Sequence, residues 1–234
     1  PEEYHYNTWI AERTGAHLEQ AKEKGEPFFI WSSFFDPHPG YLVPEPWASM
    51  YDPDSLTVPE GNPEEHRLNP PHFQKTQEES PDFDYLSEPE GNGCHGCHSH
   101  RQSREEKARN MAIYYGMVSC MDRAIGRILD RLDELGLRDE TLVAFTTDHG
   151  HFFGQHGLVA KGPFHYEDMV KIPCIVRMPG NGPAGRTSDA LQSLVDLAPT
   201  FLDFCGLPIP RRMTGVSQKD VWSGEAETAR DCVL

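Results

Sequence analysis

No apolar run in the 234 residues approaches the length of a membrane span, so a transmembrane helix is not expected. Positive charge is scarce as well: 21 Lys and Arg stand against 37 Asp and Glu, for a net charge of −16. A nucleic-acid partner needs a basic stripe to neutralise phosphates, and no such stripe is present. An anionic small molecule could be held only by a local positive site strong enough to overcome the global repulsion. The opening "PEEYHYNTWI" lacks a basic segment followed by an apolar one, which is the pattern of a secretory leader. It also lacks an initiator Met, and we expect the chain to begin inside a longer protein. Cysteines are six, and only Cys94 and Cys97 are close together, so there is no disulfide framework from which to read a compartment.

What the chain does have is 20 Gly, 20 Pro and a few strongly patterned segments. Residues 7–24 read as a helix ended by "KEKG". "PFFIWSSFF" (27–35) is a short, continuous apolar run and predicts a strand buried on both faces. Residues 36–102 are rich in Pro, Gly and acids with little periodicity, and predict one long loop insertion. Within it, residues 61–102 have little apolar content to bury, so their order is expected to come from a pocket they cover or from a ligand. Ser103 with Glu106 forms a capping box before a helix whose apolar residues recur at three- and four-residue steps up to Gly136. "TLVAFTT" and "IPCIVRMPG" predict two more strands, and "SLVDLAPTFLDFCGL" a last helix. The order predicts an α/β fold with a largely parallel sheet flanked by helices.

Chemistry gathers at two strand ends. Residues 27–35 run into Asp36-Pro37-His38-Pro39, and residues 141–147 run into Asp148-His149-Gly150. In open α/β sheets, ligands bind beyond the carboxyl ends of the strands, so both groups are expected on one edge. Asp148 and His149 are both metal-ligand types and can share an ion only where the strand has ended and the chain turns. The competing reading is a plain turn with a capping Asp. Lys161 and His38 are proton donors suited to gripping an anion or protonating a leaving oxygen. Together these residues point to hydrolysis of a small anionic ester.

The segments "PFFIWSSFFDPHPGYLVPEPWASMYDP", "YYGMVSCMDRAIGRILDRLDELGLRDETLVAFTTDHG", "GQHGLVAKGPFHYEDMVKIPCIVRMPG" and "SLVDLAPTFLDFCGLPIP" resemble the sulfatase family of the alkaline-phosphatase-like superfamily, in the family's order. The resemblance implies that Asp148 and His149 are metal ligands and that Lys161 and His38 contact the sulfate and the leaving oxygen. It implies a divalent cation, calcium first, with manganese or magnesium as alternatives. It also implies a formylglycine nucleophile made from Cys or Ser in a C/S-x-P/A-x-R motif, and that motif is absent here. We therefore expect residues 1–234 to be part of a sulfatase core, with the N-terminal nucleophile segment and the C-terminal subdomain outside it, inactive alone. The implied substrate is a sulfate ester or sulfated glycan, and the implied location periplasmic or secreted. A phosphonate or phosphate ester hydrolase of the same superfamily, or a non-catalytic binder of sulfated glycans, are the alternative readings.

Cys94-His95-Gly96-Cys97-His98 matches the c-type haem pattern, but its Gly, Asn, Ser and Arg flanks offer no apolar pocket, and no haem is expected. Zinc held by Cys94, Cys97 and His98 or His100, a disulfide, or idle thiols are further readings. The favoured one has His98 and His100 contacting substrate. His151, His156 and His165 follow the Asp148–His149 pair closely. His165 is a candidate for lining the pocket, and His156 in "GQHG" for a structural role.

Overall fold

The computed structural model describes residues 1–78, 102–180 and 182–233. Six α-helices and four strands are assigned among them. In chain order these are α1 (Tyr6–Lys24), α2 (Pro71–Lys75), α3 (Arg104–Glu134), β1 (Val143–Thr146), β2 (Phe152–Phe153), β3 (Val159–Ala160), α4 (Glu167–Val170), β4 (Cys174–Arg177), α5 (Leu197–Phe204) and α6 (Lys219–Ser223). The chain divides into two compact units: residues 1–135 with 149–172, and residues 136–148 with 173–234.

In the first unit, α1 and α3 pack side by side. α3 forms where its capping box predicts: Ser103 accepts from the Glu106 amide, and the Glu106 carboxylate receives the Ser103 amide. It buries Met111, Ala112, Met117, Cys120, Ala124 and Leu132 along one stripe. Gly116 belongs to that stripe for a steric reason. A Cβ there would lie 2.2 Å from the Trp47 carbonyl oxygen, so only glycine lets the segment after Pro46 cross the helix. The helix ends at Gly136, whose φ of +65° supplies the left-handed turn.

The functional side chains of this unit hang on a short hairpin. β2 and β3 pair antiparallel, Phe152 opposite Ala160 and Phe153 opposite Val159. Phe152 and Leu158 are fully buried and form a core with Phe73, Phe164 and Met169. Phe73 comes from α2, inside the segment read as a loop with little apolar content. Residues 61–78 are thus held against the hairpin by their own contacts. His66 is 1% exposed, and its Nε2 is 2.7 Å from the His156 carbonyl oxygen. Phe73 is 7% exposed. A single aromatic anchor and a buried imidazole do what a hydrophobic count over forty residues does not register.

In the second unit, β1 pairs with β4, Val143 opposite Arg177 and Thr146 opposite Cys174. The pairing is antiparallel, and among the described residues no parallel pair is assigned. This corrects the expected largely parallel sheet. Apolar runs reveal that a segment is extended but not which way its partner runs. Residues 27–35 are also corrected: no strand is assigned to them, and Phe29 and Trp31 are 70% and 65% exposed. Their even-numbered residues are the more covered ones, with Ser32 hydrogen-bonded to Thr14 of α1 at 2.7 Å. α5 forms inside the segment read as the last helix, and the short α6, not foreseen, follows it. Thr200 and Gln218 are fully buried and join these two helices through a 2.9 Å bond from the Gln218 amide to the Thr200 hydroxyl. No helix among the described residues is long and apolar enough to cross a membrane.

Candidate active site

Lys161 leaves the end of β3, directly after Ala160, whose φ of +58° is rare for a residue with a Cβ. The left-handed step turns the chain out of the hairpin at the point where Lys161 begins. Across the hairpin, the Phe152–Ala160 register brings the residues before Phe152 beside Lys161. The chain reaches that register through Gly150, where a Cβ would sit 1.8 Å from the Asp168 carbonyl oxygen. Its amide donates to the Met169 carbonyl at 2.8 Å. Glycine is required there, and it fixes where His149 emerges.

The Lys161 ammonium faces two imidazoles. Nζ lies 3.0 Å from His38 Nε2 and 3.3 Å from His149 Nε2. Each imidazole spends its other nitrogen on a backbone carbonyl: His38 Nδ1 on Pro39 at 3.0 Å and His149 Nδ1 on Gly150 at 2.8 Å. A carbonyl only accepts, so both rings carry the proton on Nδ1 and turn an Nε2 lone pair toward Lys161. Residues separated by 123 positions, His38 and Lys161, thus meet as the sequence suggested. Three nitrogens able to carry protons converge at one exposed to half-buried spot. Such a set can hold an anion's oxygen and pass a proton to it.

The wall beside this cluster was only partly legible. His151 Nε2 is 2.8 Å from the Tyr41 hydroxyl, and its ring stacks on Tyr114 at 5.2 Å. Burial, then the electrostatic influence of His149, Lys161 and His38, push His151 down to about 4, which leaves it neutral near pH 7. Burial pushes the Tyr41 phenol up. This wall is apolar and hydrogen-bonded, the kind that lines small-molecule sites. The sequence signal was the aromatic spacing of Tyr41, Tyr114 and Phe153, meaningful only once the chain is folded.

The other candidates fall differently. His156 is gripped between Glu65 at 3.0 Å and Asp168 at 3.2 Å and stacks at 3.6 Å on Tyr166, which makes it structural. His165 is exposed and is not a hydrogen-bond partner of Lys161. Asp148 is an exposed residue at the edge of the second unit, receiving the Thr147 hydroxyl at 3.2 Å. His98, His100, Cys94 and Cys97 lie outside the described residues.

Does the donor set suit a divalent cation? His149 has the form of a metal ligand, with Nδ1–H fixed by a backbone carbonyl and a lone pair on Nε2. That lone pair faces the Lys161 ammonium here, and an ion and an ammonium proton cannot both use it. Among the described residues no three His, Cys, Asp or Glu side chains converge on one point. The residues therefore fit part of a coordination sphere, in donor type and tautomer.

Comparison with known proteins bears on the family of the chain. A family model described as Sulfatase matches residues 3–207. An N-acetylglucosamine-6-O-sulfatase of Bacteroides thetaiotaomicron is 41% identical over 121 residues, covering 52% of this chain and 22% of the relative. An arylsulfatase of Clostridium perfringens is 29% identical over 235 residues, covering 99% of this chain and 45% of the relative. Among solved structures, a phosphonate monoester hydrolase from Silicibacter pomeroyi superposes with a TM-score of 0.79 at 26% identity. That match covers 97% of this chain and 43% of the hydrolase. The chain spans less than half the length of the curated relatives it matches.

Proposed function

The chain belongs to the sulfatase family, and from that premise we propose that the intact protein hydrolyses a sulfate monoester. The observation that carries the reading is the Lys161 ammonium set between His38 and His149. In this reading Lys161 and His38 bind the sulfate and serve the oxygen that departs. As the S–O bond to the alcohol breaks, negative charge grows on that oxygen. Lys161 offsets it at short range, and a proton from Lys161 or from a protonated His38 neutralises it. Where Lys161 gives up a proton, two imidazoles lie within 3.3 Å of its nitrogen to share the return. Neutral His151 with Tyr41 walls this spot without drawing the proton away.

The sulfatase family generally works with a divalent cation. Asp148 and His149, consecutive in the chain, are the residues we assign to hold it, with calcium as the expected ion. When bound, the ion supplies neutralisation of sulfate charge. The formylglycine nucleophile that the family resemblance implies belongs to residues outside this sequence. His98 and His100 are assigned to substrate contact, and His165 to the rim. The substrate class is a sulfate ester or sulfated glycan, and the location periplasmic or secreted.

A second reading, phosphonate monoester hydrolysis, is favoured by the TM-score of 0.79 to a phosphonate monoester hydrolase. The two share a tetrahedral anion and a leaving oxygen, so Lys161 and His38 would act alike. The full-length protein should be assayed on aryl sulfates and aryl phosphonates with matched leaving groups. A higher kcat/KM on the sulfates supports the first reading. A preference for the phosphonates would replace it by the second.

A further inference from the structure

Beneath His38 lies a buried carboxylate that the reaction does not use. Asp36 is 4% exposed and its side chain is entirely buried. One oxygen takes the Tyr6 hydroxyl, and the other takes the Asn7 side-chain amide at 2.6 Å. Tyr6 and Asn7 are the first two residues of α1, where backbone amides point outward and a carboxylate is welcome. His5 Nε2, 3.9 Å from the same carboxylate, and Asn7 Oδ1 are both buried with no hydrogen-bond partner among the described residues. Several polar groups are therefore drawn into an apolar place around a single acid. Structure that costs desolvation in this way needs a specific return.

Asp36 is also the second residue of the turn from Phe35 to His38, closed by the His38 amide donating to the Phe35 carbonyl at 3.1 Å. The contacts run onward from there. The Tyr6 ring meets Phe35 edge-on at 5.6 Å, and the Phe35 ring lies 4.9 Å from the His38 ring. Tyr6 thus touches the turn twice, through its hydroxyl and through its ring. His38 itself is exposed, and among the described residues its ring hydrogen-bonds Pro39 and Lys161. An exposed ring on a turn holds one rotamer only if the turn beneath it is held.

We propose that Asp36 is a positioning residue for catalysis: clamped by Tyr6 and Asn7 at the start of α1, it fixes the turn that presents His38 to Lys161. The proposal rests on the reading that His38 serves the leaving oxygen, and goes beyond it by naming what aims the ring. Asp36→Asn keeps the shape but turns an amide toward one of the two donors. Tyr6→Phe removes one donor and leaves the ring on Phe35.

The test uses the full-length protein, with two readouts. The first is a double-mutant cycle in kcat with an aryl sulfate of poor leaving ability. Asp36→Asn should lower kcat about 10-fold or more, with KM nearly unchanged, and should cost little further once His38→Ala is present. The second is the NMR signal of the His38 ring in histidine-labelled protein. It should move in Asp36→Asn and, less, in Tyr6→Phe, while the ring signals of His72 stay in place. Losses that multiply across the cycle would overturn the proposal. So would an unmoved His38 signal in folded variants. Should His38→Ala itself leave turnover intact, the reading of His38 fails, and the NMR arm still decides whether Asp36 aims the ring. Should Asp36→Asn not fold, Tyr6→Phe carries both arms, at smaller size.

Discussion

His38 and His156 both sit in Pro- or Gly-rich turns of the same unit, and the fold treats them in opposite ways. His156 has a carboxylate on each ring nitrogen, Glu65 and Asp168, and Tyr166 flat against its face. Its carbonyl is also taken, by His66. Each of these groups is already engaged, two with Glu65 and His66 and two with Asp168 and Tyr166. His38 commits one nitrogen to a backbone carbonyl and turns the other to Lys161. The difference teaches that a histidine's role is decided by its uncommitted nitrogen, not by its exposure or its neighbours in sequence.

That contrast can be broken at its strongest point first. Lys161→Ala should lower kcat/KM by about 10³-fold for poor leaving groups, the scale of losing a main donor to developing charge. Steady-state kinetics on the full-length protein checks it. A loss below 10-fold would leave the cluster without a catalytic role. His38→Ala should cost about 10²-fold on the same substrates and progressively less as the leaving group becomes less basic.

His156→Ala should reverse the pattern. Losing an aromatic stack and two partly exposed ion pairs should lower stability by roughly 2 kcal/mol, read by chemical denaturation. Any effect on turnover should be equal across leaving groups. A rate loss with the leaving-group slope of His38→Ala, at unchanged stability, would erase the distinction drawn here.

A smaller effect sharpens the comparison from beneath His38. Burial pushes Asp36 up to about 7 from its ordinary 3.8. Its folded value is raised, so the stability it contributes is complete below about pH 4 and is lost as pH rises through about 7. The groups facing it are His5, Tyr6, Asn7 and Cys120. Melting temperatures between pH 4 and 8 should therefore fall more steeply in the wild type than in Asp36→Asn. Parallel curves would place the titration elsewhere.

Much of the helical framework was legible because its signals are local. Ser103 and Glu106 sit three residues apart, and Gly136 closes the same helix. That Lys161 and His38 would lie near each other was expected from residue type and family resemblance, and they meet at 3.0 Å. What did not show was everything that depends on a distant partner. β2 and β3 are two residues each, too short for any periodicity, yet they place Lys161. The antiparallel pairing of β1 with β4 leaves no mark in either apolar run. The clamp on Asp36 joins residues about thirty positions apart through a Tyr and an Asn at a helix start, where sequence alone suggests only a cap.

The central claim is that Lys161 and His38 act on the departing oxygen while His156 only holds the fold. The most direct test is the dependence of log kcat on leaving-group pKa for a series of aryl sulfates, in the full-length wild type, Lys161→Ala, His38→Ala and His156→Ala. The account predicts steeper dependence in the first two variants and a wild-type slope in the third. One slope shared by all four proteins would contradict it.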